Sequence, residues 1–298
     1  MSPAGFRRVR GGSTDGMALI AGGEFLMGTD GDYGFPADGE GPVHAVTLAP
    51  FYLDQTCVTN EQFNAFVNAT GYKTDAEKFG WSFVFFGHLT SEQLATKVKA
   101  RVTGSEWWCR IDGATWRHPE GPGSKIKRRW DHPVVQVSWR DAVAYAGWAD
   151  KRLPTEAEWE RAARGGLVQK RFPWGDELEP QGRHRMNVWQ GIFPTKNTEA
   201  DGHYGTAPVK SYKANDYGLF QMTGNVWEWC WDWFDAGFYR VSPAENPTGP
   251  MTGERHVMRG GSYLCHQSYC NRYRTDARSS NTPDSATTNC GFRCVRDV

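Results

Sequence analysis

Downstream of Arg171 the chain reads as short aromatic pieces set between glycines, FPWGDE, NVWQG, NDYGLF and GNVWEW, and no helical period is sustained through them. Glycine and proline punctuate regular structure, and large aromatic side chains supply much buried area in few residues. A chain with 34 glycines, 16 prolines and 14 tryptophans is therefore expected to fold into turns and short elements around cores built on indole rings.

Helices are legible only upstream, where capping residues announce them. Thr59-Asn60-Glu61-Gln62 is a capping box, with Phe63, Phe66 and Val67 on one face and Gly71 as the stop. Ser138-Trp139-Arg140-Asp141 opens a second helix that buries Ala142, Tyr145, Ala146 and Ala149. Thr155-Glu156-Ala157-Glu158 opens a third, with Trp159, Ala162 and Ala163 inward and Gly165-Gly166 ending it. Val43–Leu48 alternates as a strand does, and Phe51–Leu53 is a second short apolar run. Turn-rich stretches such as HPEGPGS at 118–124 separate these elements, and no repeat or linker divides the chain. The reading is a flexible leader over 1–16 and a single irregular, loop-rich α+β domain over 17–298. Loops that long in a compact domain call for other supports, such as bound ions.

A formal net charge of zero, from 34 basic and 34 acidic residues, argues against a general nucleic-acid binder. MSPAGFRRVRGGSTDG carries arginines without an apolar run behind them, so it reads neither as a secretory signal nor as a membrane span. Seven cysteines cannot all pair within one chain, which suits a reducing cytoplasm.

Two of them carry the chemical question. Cys265 and Cys270 stand five apart in GSYLCHQSYCNRYR, among hydroxyls, rings and arginines. A local disulfide is one reading. A four-cysteine zinc set with Cys290 and Cys294 is a second, although its gaps fit zinc knuckles poorly. A redox or soft-metal pair is the third: two thiolates without a companion histidine set favour monovalent Cu(I), and neighbouring arginines favour thiolate over thiol. Cys57, Cys109 and Cys230 read as buried small hydrophobes, and Cys109 within WWCR has no assigned role.

GGSYLCHQSYCNRYRTDARSSNTPDSATTNCGFRC (260–294) resembles the C-terminal signature of the formylglycine-generating enzymes, the sulfatase-modifying oxidases. RLPTEAEWERAARGG (152–166), FPWGDE, NVWQG, GTAPV and YGLFQMTGNVWEWCWDWF (217–234) extend the resemblance over 17–298. LPTEAEWE and GNVWEW belong to a wider superfamily with non-catalytic lectin-like modules and iron-dependent sulfoxide synthases; the segment around the two cysteines is the specific part. The scattered histidines do not suit the synthases, and a mere binding module has no use for both thiols.

The resemblance implies a C-type-lectin-like fold of the prokaryotic type, and oxidation by O2 of the cysteine in a Cys-x-Pro-x-Arg motif of an unfolded sulfatase polypeptide to Cα-formylglycine. It implies Cu(I) held by Cys265 and Cys270, a thiol reductant, and a cytoplasmic monomer without nucleic-acid or membrane partners. Ser262 matches a residue that orients substrate or oxygen, Trp229 and Tyr269 match walls of the oxygen pocket, and His266 and Arg272 line the substrate groove. Two structural calcium ions are implied as well. One takes the side chains of Asn187 and Asp201 with carbonyls at Val188 and His203; the other takes Glu228 with Thr223, Gly224, Asn225 and Val226. Ala146 and Ala163 stand where secretory members carry stapling cysteines, which leaves Cys290 and Cys294 as structural thiols.

Overall fold

A computed structural model describes residues 5–298. In chain order its strands are β1 (Met17–Ile20), β2 (Gly23–Met27), β3 (His44–Leu48), β4 (Phe51–Asp54), β5 (Trp81–Phe85), β6 (Val98–Val102), β7 (Ser105–Asp112), β8 (Gly191–Ile192), β9 (Lys196–Asn197), β10 (Trp227–Trp233), β11 (His256–Arg259), β12 (Arg278–Asn281), β13 (Cys290–Gly291) and β14 (Val295–Asp297). The helices are α1 (Asn60–Thr70), α2 (Asp75–Phe79), α3 (Ser91–Thr96), α4 (Trp139–Trp148) and α5 (Glu156–Arg164). Mixed secondary structure, short strands and extensive loops make this the loop-rich α+β architecture expected.

The caps explain the helices. At α1, Gln62 N–H donates to Thr59 Oγ1 at 3.2 Å, and Thr59 N–H donates to Gln62 Oε1 at 2.9 Å. The same reciprocal box opens α4 at Ser138/Asp141 and α5 at Thr155/Glu158. Gly71 ends α1 and Gly165 ends α5 in left-handed conformations. Ala149, expected on the buried face, is instead the C-cap of α4. Two more boxes, Thr74/Glu77 and Thr90/Gln93, open α2 and α3 within a stretch expected to be turn-rich.

The central sheet runs in the order β12-β11-β10-β13, antiparallel except for the parallel β10–β13 pair. Further sheets, β1-β4-β14, β5-β7-β6 and the β2-β3 and β8-β9 pairs, surround it. One core gathers Phe63, Trp116, Tyr145, Trp229 and Phe292 between the central sheet and the helices α1 and α4. A second packs α5, through Trp159, Ala162 and Ala163, against Ile20, Leu53 and Val257. Between them α5 buries Glu156 and Glu160, which pair with Arg259 and Arg278 at 2.6–2.8 Å. Buried charges persist only when matched this way.

Of the leader expected over 1–16, residues 1–4 lie outside the described residues. The stretch from Phe6 to Val9 is not free: Arg8 is 3.1 Å from Asp297, Val9 N–H donates to the same carboxylate at 2.6 Å, and Phe6 lies edge-on to Trp231. Asp297, already buried against Arg152, provides the anchor. No helix among the described residues is long and apolar enough to cross a membrane.

Candidate active site

Two glycines build the turn that carries the cysteines. Gly260 and Gly261 follow β11 with φ of +89° and +70°, and a Cβ on either would stand 2.9 Å from a backbone oxygen, Met222 O and Arg272 O respectively. Only glycine tolerates both the left-handed backbone and the close approach. The chain therefore swings sharply off the sheet and lays Ser262–Cys265 against the returning Cys270–Tyr273. Cys265 N–H donates to Ser262 O, Cys270 N–H to His266 O, and Trp189 N–H to Cys265 O, fixing the loop at 2.7–3.0 Å.

The outcome is a close sulfur pair. Cys265 Sγ and Cys270 Sγ are 2.8 Å apart, both thiols free and buried. They line a cavity of about 210 Å³ together with Ser262, Tyr269, Arg272 and Asn289. Burial and the neighbouring Cys270 hold the Cys265 thiol well above its ordinary value. Burial also opposes ionisation of Cys270, but the Cys265 S–H and the Arg272 guanidinium outweigh it and bring that thiol below its ordinary value. The contact raises the pKa of Cys265 and lowers that of Cys270, so Cys270 is the more readily ionised of the two.

Ser262 Oγ accepts from Asn289 Nδ2 at 2.9 Å and from Leu264 N–H at 3.3 Å, which leaves its own proton for a group in the cavity. The Tyr269 ring stacks on Phe193 at 4.3 Å between centroids and meets the edge of Trp107 at 4.9 Å. Arg272 reaches from the cavity to Asp38 and lies over the Phe35 ring at 3.8 Å, tying the loop before β3 to the site.

Two expected site residues fall elsewhere. Trp229 belongs to the core cluster that contains the thiols, but its Nε1–H donates to Val137 O at 3.2 Å and it does not line the cavity; Trp227, one step along the same strand face, does. His266 does not line it either, and its Nδ1 pairs with Ser268 Oγ at 2.8 Å. The sequence reading missed Trp107, Trp108, Met258, Asn289 and Cys290 as cavity walls. The signal for the first two was the WWCR run, which β7 presents opposite the cysteine loop. A four-cysteine zinc cage does not form: among the described residues, no three of His, Cys, Asp and Glu gather as metal ligands.

Of the first expected calcium set, the Asp201 carboxylate meets the backbone at Val188 and His203, accepting each N–H at 3.1 Å, and Gln190 Nε2–H also donates to it at 3.0 Å. Asn187 lies beside them with its Oδ1 buried and unpartnered. The second set does not gather. Glu228 receives Arg293 through two contacts of 2.7 Å, Trp159 Nε1–H at 2.8 Å and the Cys57 thiol at 3.1 Å. Four donors fill a carboxylate, and the guanidinium matches its charge, so Glu228 has nothing left for a cation. The Asn225 amide is likewise spent on Ala207 and Asn187, although Thr223 Oγ1 is buried without a partner.

Comparisons with known proteins show the family. A sequence model of the sulfatase-modifying factor enzyme 1-like domain matches residues 4–298. The chain is 59% identical over 286 residues to the formylglycine-generating enzyme of Streptomyces coelicolor, covering 96% of this chain and 90% of that one. It is 45% identical over 287 residues to the inactive C-alpha-formylglycine-generating enzyme 2 of Bos taurus, covering 95% and 89%. Among solved structures, PvdO from Pseudomonas aeruginosa superposes with a TM-score of 0.69 at 25% identity, covering 95% of this chain and 94% of that one.

Proposed function

The chain belongs to the sulfatase-modifying factor enzyme 1-like family, and from that premise we propose that it oxidises the cysteine of a Cys-x-Pro-x-Arg motif in an unfolded sulfatase polypeptide to Cα-formylglycine. Overall similarity does not decide the matter, since relatives named active and inactive both match. The observation that carries the reading is the sulfur pair, 2.8 Å apart on a cavity wall.

The donor set fits Cu(I). Two buried cysteine sulfurs, one with its pKa lowered and with no third hard ligand gathered, suit a soft monovalent ion better than zinc. Bound between Cys265 and Cys270, copper would supply an electron-rich centre with room for a third thiolate and the capacity to reduce O2. The Cys265 thiol and the Arg272 guanidinium favour the thiolate form of Cys270. Ser262, held by Asn289, presents a proton to the substrate sulfur or to oxygen, and Trp107, Tyr269 and Phe193 form an aromatic rim that limits water. In overall balance the substrate Cβ and sulfur give up two hydrogens, a thiol reductant gives two more, and O2 becomes two waters. Hydrolysis of the resulting thioaldehyde consumes one water and releases hydrogen sulfide and the aldehyde. The reading includes a cytoplasmic monomer, which the seven free cysteines suit.

The test is mass spectrometry on a Cys-x-Pro-x-Arg peptide incubated with the protein, Cu(I), reductant and air. An aldehyde should replace the thiol, and Cys265→Ser or Cys270→Ser should abolish it. An unchanged peptide with the copper-loaded protein defeats the proposal.

For calcium, the residues fit one ion rather than two. Asn187, Asp201 and the carbonyls of Val188 and His203 would hold it, with the unpartnered Asn187 Oδ1 as the group it satisfies. Calcium should raise Tm, and Asn187→Ala should remove the rise while Glu228→Gln retains it.

A further inference from the structure

The cavity wall beside Ser262 holds a hydrogen-bond chain that runs in one direction. Along 287–289 successive residues face opposite ways: Thr287 and Asn289 line the cavity of the cysteine pair, and Thr288 lines a separate one with His88 and Tyr263. Thr288 anchors the segment from behind. Its Oγ1 accepts Phe85 N–H at 3.3 Å, and its carbonyl accepts Tyr263 O–H at 3.2 Å, while His88 Nε2 meets the same tyrosine oxygen at 2.8 Å. In front, Thr287 O–H donates to Asn289 Oδ1 at 2.8 Å, and Asn289 Nδ2–H donates to Ser262 Oγ at 2.9 Å. We propose that Thr287 is a positioning residue: its hydroxyl fixes the Asn289 amide so that Ser262 directs its own proton into the cavity.

A side-chain amide can turn over and exchange donor for acceptor with almost no change of shape. With its oxygen toward Ser262, the serine would donate to the amide, and the cavity would face a lone pair instead of a proton. Leu264 N–H reaches Ser262 Oγ at 3.3 Å in either case and does not choose between them. Thr287 does. Once a thiolate or reduced oxygen in the cavity takes the Ser262 proton, a reversed amide would set two oxygens against each other and leave the buried Asn289 carbonyl without a donor. With the Thr287 proton on Oδ1 and the amino group on Ser262, every member of the chain is paired, and bonds linked in this way strengthen one another. The part this plays in catalysis rests on the proposed oxidation; the direction of the chain is a property of the protein alone.

Two readouts test this. Neutron diffraction from crystals of the deuterated protein sees the amide itself: in the wild type an Asn289 Nδ2 deuteron should point at Ser262 Oγ, and the Thr287 hydroxyl deuteron at Asn289 Oδ1. Oxidation of the Cys-x-Pro-x-Arg peptide, followed by mass spectrometry, sees the consequence. Thr287→Val keeps the shape and removes the donor, and should lower kcat about tenfold with KM unchanged. Thr287→Ser keeps the hydroxyl and should restore kcat, which separates the lost donor from a damaged fold. In a Ser262→Ala background Thr287→Val should cost nothing further, whereas a residue that only packs would cost the same with or without the serine. A reversed amide in the wild type, a Thr287→Val variant as fast as the wild type, or equal losses in both backgrounds overturns the proposal. A wild type that leaves the peptide unoxidised defeats the oxidase reading instead, and the neutron map then still decides the direction of the chain.

Discussion

Arg272 decides between two opposing demands on Cys270. Burial alone pushes a thiol toward its neutral form, and both cysteines are almost wholly buried. The guanidinium, with the Cys265 thiol, reverses the outcome for Cys270 only. Arg272→Met should therefore move the alkylation midpoint of Cys270 upward in pH, measured with iodoacetamide in a Cys265→Ser background beside an otherwise identical Arg272 control. Arg272→Lys, which keeps the charge, should recover most of the shift. An unmoved midpoint means that the arginine only packs. The cysteines were legible in the sequence because their spacing and basic surroundings are local. Asn289 was not, because its bond to Ser262 spans 27 positions and an asparagine in a turn-rich stretch signals nothing by itself. Trp229 was misplaced for a related reason: alternate residues share a strand face, and the sequence does not say at which residue along that face the cavity begins.

Elements were legible in proportion to how locally their ends are defined. Capping boxes announced α1, α4 and α5, and the same signal would have found α2 and α3 had it been sought in shorter segments. The central sheet gave no such notice. β12 is RSSN and β13 only Cys290–Gly291, and they are ordered by the strands beside them rather than by alternation of their own. β10 is the element on which this order depends. Its Glu228 joins Arg293, beyond β13, to Trp159 of α5, and both charged side chains are nearly inaccessible. Removing one member strands the other, so Arg293→Leu should cost about 3–5 kcal/mol in urea unfolding. Glu228→Gln, which keeps an acceptor for Trp159, also strands the guanidinium and should be similarly costly. The double variant Glu228→Gln/Arg293→Leu should lose less than the sum of the two. Additive losses would mean that the ion pair does not couple α5 to the sheet.

On the scale of the whole molecule, three histidines are held neutral by burial, His88, His132 and His256, each with its pKa lowered to about 4. His256 is the most informative. Its ring lies 3.7 Å from both Trp139 and Trp233, its Nδ1–H donates to Trp231 O at 2.9 Å, and its Nε2 is buried without a partner. An unfolded chain protonates this residue near pH 6.5, whereas the folded one resists until about 4. Between these values the unfolded state binds more protons, so stability falls as pH falls. The difference of about 2.5 units corresponds to roughly 3 kcal/mol at full development. Asp232, whose pKa burial and the neighbouring Glu156 raise, works in the opposite sense, so total stability against pH does not isolate the histidine. The difference between wild type and His256→Phe does. Phenylalanine preserves the aromatic stack and loses one hydrogen bond, a cost independent of pH, so the variant should be less stable at pH 7 and should close the gap, or cross it, as pH falls from 6.5 toward 4. A gap that stays constant across that window would show that His256 titrates normally, and that the stacked indoles stabilise its charged form as well as water does.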